Sequence, residues 1–216
     1  MGRLAVGVAS ETRLILIRHG ETDDNVGKRV AGWRDSALTD RGRIETELVA
    51  AFVAEHYRLV AIYASPLRRA AETAASLARR LGVTVRVDPD LRELHFGDAE
   101  GLAIDQLSEQ YPEILARAMN DEDDDVGWPN GETRREFYRR ARRAIDAIVN
   151  AHPGETVAVV THGGVVSRLL ADAAEGKPAR WNSYHSANCS VAEIVVSDGT
   201  HAIVRWNVTD HLADSA

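Results

Sequence analysis

Apolar and polar positions along this 216-residue chain fall into two alternating rhythms. Leu14-Ile15-Leu16-Ile17 is a continuously apolar, partly β-branched run of strand length, the pattern of a strand covered on both faces. Similar runs recur at Leu59 to Ala64, Val83 to Val87 and Val157 to Thr161. Val191 to Val196 and Ala202 to Val208 flank Ser197-Asp198-Gly199-Thr200 and predict a terminal hairpin. Helical spacing fills the intervals. Ile44, Leu48, Ala51 and Phe52 make the face of one helix, and Leu67, Ala70, Ala74, Leu77 and Leu81 that of a second. The second has clear end signals: Ser65 as N-cap, Pro66 at the first helical position and Gly82 just past the last turn. Phe137, Ala141, Ala144, Ile145 and Ile148 mark a third helix, and Val165, Val166, Leu169 and Leu170 a fourth.

Strands alternating with helices predict an α/β fold: a three-layer α/β/α arrangement with a mainly parallel central sheet. The stretch from about 95 to 131 breaks the rhythm with short helical pieces, Tyr111-Pro112 and the acidic run Asp121 to Asp125. It is expected as a small insertion over the carboxyl ends of the strands. The chain thus divides into a flexible N-terminal tail (1–12), one domain (13–210) and a C-terminal tail (211–216).

Composition narrows the function classes. With 33 acidic against 26 basic residues the formal charge is −7, which argues against a nucleic-acid binder relying on broad electrostatic attraction. No apolar run approaches the ~20 residues of a membrane span, so no membrane partner is expected. Cys189 is the only cysteine, which excludes an intrachain disulfide and fits a reducing cytoplasm.

In open α/β sheets, ligands bind beyond the carboxyl ends of the strands, and the distinctive residues fall there. The first strand runs into Arg18-His19-Gly20-Glu21-Thr22, the second into Ser65-Pro66-Leu67-Arg68-Arg69-Ala70, and the one ending at Thr161 into His162-Gly163-Gly164. Leu91-Arg92-Glu93-Leu94-His95 follows the third after a short connection. Two histidines, at least two arginines and a carboxylate can therefore meet at one edge. Guanidinium groups bind phosphate oxygens bidentately, a neutral imidazole is a nucleophile near neutral pH, and a nearby carboxylic acid can protonate a leaving oxygen. Glycines beside both histidines let backbone approach an anion, and a helix starting near Gly164 adds a favourable dipole. Each feature alone has a plain structural explanation: a helix cap, a solvated arginine, a turn histidine.

Taken together the blocks resemble the histidine phosphatase superfamily, which includes cofactor-dependent phosphoglycerate mutases and many small phosphatases. The resemblance runs from about Leu14 to Asn207. It rests on Leu16-Ile17-Arg18-His19-Gly20-Glu21-Thr22 with Asn25, Gly32-Trp33-Arg34-Asp35-Ser36-Ala37-Leu38-Thr39 with Gly42, and Ser65-Pro66-Leu67-Arg68-Arg69-Ala70 with Thr73. Further blocks are Leu91-Arg92-Glu93 with Gly97 and Glu100-Gly101, Pro129-Asn130-Gly131-Glu132-Thr133, and Thr161-His162-Gly163-Gly164. It implies that His19 becomes phosphorylated, that Arg18, Arg69 and a protonated His162 clamp the phosphoryl group, and that Glu93 serves as acid and then base. Thr22, Asn25 and Gly163 would meet the phosphate or the near part of a small phosphorylated substrate, and His95 would line the site. No metal or other cofactor is implied.

Two alternatives stand beside a phosphatase. A bisphosphoglycerate-dependent mutase is disfavoured by Leu94, where the mutases resembled have a basic residue, and by the acidic insertion. A catalytically silent phospho-ligand module is disfavoured because no expected catalytic position is substituted. The oligomeric state, monomer or homodimer, is left open.

Overall fold

A continuously apolar strand has nowhere stable to lie except between two covering layers, and β1 (Thr12–Arg18) lies there, with Leu14 to Ile17 all buried. The computed structural model describes residues 10–120 and 122–215. After β1 the chain runs through α1 (Asp23–Val26), α2 (Asp40–His56), β2 (Ala61–Ala64), α3 (Arg68–Leu81) and β3 (Val85–Val87). Next come α4 (Ile104–Gln110), α5 (Pro112–Ala118), α6 (Arg134–Ala151), β4 (Thr156–Thr161), α7 (Gly163–Glu175), β5 (Val191–Ser197) and β6 (Thr200–Val208). The six strands form one sheet in the order β3-β2-β4-β1-β5-β6. Pairings from β3 to β1 are parallel, while β5 and β6 add an antiparallel hairpin.

The two faces of β1 feed two cores. Leu14 and Leu16 pack with Phe137, Ile145 and Ile148 of α6 and with Val166 and Leu170 of α7. Ile15 and Ile17 pack with Val49 and Val53 of α2 and with Ala70, Ala74 and Leu77 of α3. This is the expected three-layer α/β/α arrangement. A third cluster around Ala99, Leu107 and Trp128 holds the insertion together.

Two sequence expectations change. In α2 Ile44 is 56% exposed, and the inward face is Glu45, Thr46, Val49, Ala50 and Val53. The apolar stripe misleads because this helix also packs against the polar loop after β1: the Glu21 N–H donates to Glu45 Oε2 at 3.3 Å. Ser65 is not the cap of α3, whose N-cap is Leu67 without a side-chain bond; Gly82 does close it, with φ of 67°. In the acidic run Asp123 pairs with Arg117 and Asp125 with Arg135, at 2.9 and 2.8 Å. Asp121 lies outside the described residues.

At the termini, the N-terminal tail expected over 1–12 lies outside the described residues up to residue 9. Thr12 already opens β1, its hydroxyl donating to His152 O at 2.8 Å. Beyond β6, residues 210–215 form a 3-10 turn in which His211 stacks on Phe52 and bonds Cys189 O at 3.0 Å.

Candidate active site

Three neighbouring parallel strands end level with one another, and the residues just beyond them are Ser65, His162 and His19. Arg18 of β1 pairs with Thr161 of β4, and Ala64 of β2 with Val160. Backbone bonds continue one residue past the sheet: His19 N–H to Thr161 O at 3.0 Å and Ser65 N–H to Val160 O at 3.1 Å. Strand spacing of about 4.8 Å therefore sets the histidine rings side by side, their centroids 5.2 Å apart. Both histidines are buried.

His19 has a fixed tautomer. Its Nδ1 lies 2.8 Å from Gly20 O, and a carbonyl can only accept, so the proton sits on Nδ1. Nε2 then carries the lone pair and accepts from Arg69 Nε at 3.2 Å. Burial, reinforced by the charges of Arg69 and Arg18, holds the imidazole well below the usual histidine pKa. The ring is neutral at neutral pH and its nucleophilic nitrogen faces a cation.

His162 departs from the expectation of a protonated clamp. Burial and then Arg69, His19 and Arg18 keep it neutral, so it does not add the positive charge expected of it. Its Nε2 meets Ser65 Oγ at 2.8 Å, and that hydroxyl also accepts from Leu67 N–H at 3.3 Å. The Ser65 hydroxyl keeps its own proton, and with that proton donated to Nε2 the ring proton sits on Nδ1. That Nδ1 is buried with no hydrogen-bond partner among the described residues, and so is Arg18 Nε. Buried donors without partners are rare and mark places where an acceptor belongs. Arg18 is steered by Ser186 O at 2.5 Å. Arg69, almost fully buried, is held by Gly32 O and Arg34 O at 2.7 and 3.0 Å.

Glu93 is tied by both oxygens, Oε1 accepting from Leu94 N–H at 3.0 Å and Oε2 from Gly164 N–H at 3.0 Å. The amide expected to serve an anion at the start of α7 thus serves Glu93. A Cβ on Gly164 would lie 2.3 Å from Glu93 Oε1, which explains a glycine there. Gly163 backs Arg18, since a Cβ on it would lie 3.4 Å from Arg18 Nε.

The remaining expected residues divide. Asn25 stands at the edge of the cluster: its Oδ1 accepts from Thr22 N–H at 3.1 Å and Asn188 Nδ2 at 3.1 Å. A backbone donor fixes Oδ1 on that side and turns the Asn25 Nδ2 group the other way. Thr22 is fully buried and its hydroxyl bonds Asn25, so it shapes the site from behind. His95 is not brought to the histidine pair; it stacks on Trp33 at 4.5 Å and lies 3.8 Å from Glu100.

Sequence reasoning missed Ser65 as a histidine partner, Asn188, and two residues that hold Glu93. Trp33 Nε1 donates to Glu93 O at 2.7 Å. Arg140 binds Glu132 and donates to the carbonyls of Asp90, Arg92 and Glu93 at 2.9, 2.6 and 2.6 Å. Cys189 is fully buried with its thiol pushed far up by burial, which makes it unreactive.

Known proteins are similar to this chain over most of its length. The chain is 34% identical over 205 residues to phosphoglycerate mutase-like protein 4 of Arabidopsis thaliana, covering 94% of this chain and 87% of that protein. It is 31% identical over 210 residues to the metal-independent phosphoserine phosphatase of the same plant, covering 96% and 87%. The structure of mycobacterial glucosyl-3-phosphoglycerate phosphatase in complex with VO3 superposes with a TM-score of 0.80 at 32% identity, covering 91% of this chain and 99% of that one. The family model of the histidine phosphatase superfamily, branch 1, matches residues 14–209, and the chain belongs to that superfamily.

Proposed function

We propose that this chain is a phosphomonoester hydrolase that passes the phosphoryl group of a small phosphorylated metabolite to His19 and then to water. The observation that carries it is the neutral His19 ring, with Nδ1 committed to Gly20 O and Nε2 presented beside Arg69. Nε2 attacks phosphorus, the bond to the substrate oxygen breaks, and the carboxylic acid of Glu93 gives its proton to the departing alcohol. The Nδ1–H bond to Gly20 O supports the charge that forms on the ring. Glu93, now a carboxylate, takes a proton from water whose oxygen attacks phosphorus; the P–N bond breaks and inorganic phosphate leaves.

Arg18 Nε and His162 Nδ1, unpartnered buried nitrogens of this cluster, serve the phosphoryl oxygens together with Arg69. Asn25 adds its Nδ2 donor. His95 takes a supporting place through Trp33. Transfer to water, in preference to a second substrate hydroxyl, is supported by Leu94 directly after Glu93 and by relatives named as phosphatases. One of these is named metal-independent, in keeping with charge supplied by arginines. A cytoplasmic setting goes with this reading through the single, buried, unpaired Cys189.

The test is hydrolysis of phenyl phosphate in the presence of a chelator, with acid quenching to trap the phosphoenzyme. Wild type is expected to turn over and to carry an acid-labile phosphate, and His19→Ala to do neither. Equal activity in the two proteins, or loss of turnover on chelation, would sink the mechanism. A mutase assay primed with bisphosphoglycerate is expected to remain silent.

A further inference from the structure

Beside Glu93 and Gly164 the insertion roofs a cavity of about 340 Å³, within the size range of small-molecule pockets. Its walls are apolar and largely aromatic: Leu94, Phe96, Leu115, Met119, Trp128 and Phe137. Such walls suit a flat hydrocarbon body and give nothing to a hydroxyl-rich one.

Two donors interrupt this lining. Arg168 is 3% exposed, and its Nη1 has no hydrogen-bond partner among the described residues. The carboxylate nearest it, Asp124 Oδ1, stands at 3.6 Å, beyond hydrogen-bond reach. The guanidinium lies 5.9 Å from the Trp181 ring, whose Nε1 is also buried without a partner. Arg134 lies over the same ring at 5.8 Å. Burial lowers Arg168 to about 10, against the pull of Asp124, and leaves it charged at neutral pH.

Helix α7 sets the spacing. Gly164 holds Glu93 by its N–H, and Arg168 follows four residues later on the same face, about one turn or 5–6 Å along the axis. Glu93, Gly164 and Arg168 line the same cavity, so a leaving oxygen at Glu93 and an anion at Arg168 can belong to one bound molecule.

We propose that this cavity binds the alcohol part of the substrate and selects phosphomonoesters whose flat apolar body ends in a carboxylate, held by Arg168 with Trp181 Nε1 donating beside it. The proposal rests on the phosphohydrolase reading and narrows its substrate class.

Two probes differing only in that group decide it: 4-carboxyphenyl phosphate and phenyl phosphate. In wild type kcat/KM is expected to favour the carboxylate by about tenfold or more, mostly through KM. Comparing the same ratio in variants cancels the difference in leaving-group chemistry. Arg168→Met is expected to bring the ratio towards one, Trp181→Phe to lower it in part, and Asp124→Asn, which removes the competing carboxylate, to raise it. A ratio that Arg168→Met leaves unchanged overturns the proposal. Should that variant fail to fold, an Asp124→Asn ratio no higher than wild type does the same. His19→Ala run alongside separates the two levels: phenyl phosphate turnover that survives it removes the hydrolase reading itself, whereas His19-dependent turnover with no carboxylate preference removes only this proposal.

Discussion

Ser65 Oγ lies 2.8 Å from His162 Nε2, and this contact decides which nitrogen of the second histidine carries the proton. The hydroxyl accepts from Leu67 N–H and still has its own proton to give to the ring. Ser65→Ala removes that donor and lets the ring proton move to Nε2, away from the phosphoryl site. A fall in kcat of about tenfold is expected, with a smaller change in KM. Imidazole nitrogen NMR would show the Nδ1–H form in wild type and a mixture in the variant. A single Nδ1–H form in both would mean that Ser65 does not set the tautomer.

Burying two neutral histidines ties stability to pH. In the unfolded chain each titrates near about 6.5, whereas in the folded protein burial and neighbouring arginines hold both well below that. Below about pH 6.5 the unfolded chain therefore binds protons that the folded one refuses. The stability these groups contribute is present above that pH and is lost progressively as pH falls beneath it. Urea midpoints are expected to drop between about pH 7 and about pH 5, with a shallower slope in His162→Asn. Parallel slopes would show that His162 is not buried in its neutral form.

Arg140 joins α6 to the loop that carries Glu93, through Glu132 and three backbone carbonyls. Arg140→Met keeps much of the packing but takes a donor from the Glu132 carboxylate and from three carbonyls, of which Glu93 O keeps Trp33 Nε1 while Glu132 keeps the His95 N–H. The expected loss is about 3 kcal/mol, read from urea unfolding, together with a lower kcat as Glu93 loosens. Arg140→Lys is expected to restore little, because one ammonium cannot replace a fork with several donors. Stability within about 0.5 kcal/mol of wild type in Arg140→Met would show that the loop is held by its other contacts.

The residues that sequence alone made legible share a physical reason. Strands buried on both faces appear as unbroken apolar runs, so β1 and β4 could be placed, and with them the loops carrying His19 and His162. Gly82 was legible because a left-handed helix end favours glycine. What could not be read depends on partners far along the chain. Ser65 followed by proline looks like a local cap, yet its partner is 97 positions away. In the arginine-rich α6, nothing local tells that Arg140 turns inward while Arg135 and Arg143 pair at the surface with Asp125 and Asp90. The inward face of α2 was misread because Glu45 and Thr46 belong to it, and an apolar stripe cannot show a helix that packs against polar backbone. The cavity at Arg168 is closed by α5, α6, α7, the loop that carries Glu93 and the segment after α7, so no single window contains it.

Gly164 gives the sharpest separation between folding and chemistry. Its missing Cβ would stand 2.3 Å from Glu93 Oε1, the far end of a side chain that can swing aside, and no backbone atom lies nearer. Gly164→Ala is therefore expected to fold with nearly the wild-type urea midpoint while displacing the carboxylate from the Gly164 N–H. If Glu93 supplies both proton transfers, kcat falls by roughly 10²-fold, and Glu93→Gln falls at least as far. The two steps can be told apart with a substrate whose leaving group needs no proton, such as 4-nitrophenyl phosphate. Its phosphorylation of His19 then survives in Glu93→Gln while hydrolysis of the phosphoenzyme slows, so a burst of nitrophenolate and a trapped phosphohistidine are expected. A variant slowed equally in burst and steady state would place Glu93 in the first step alone and leave the activation of water to another group.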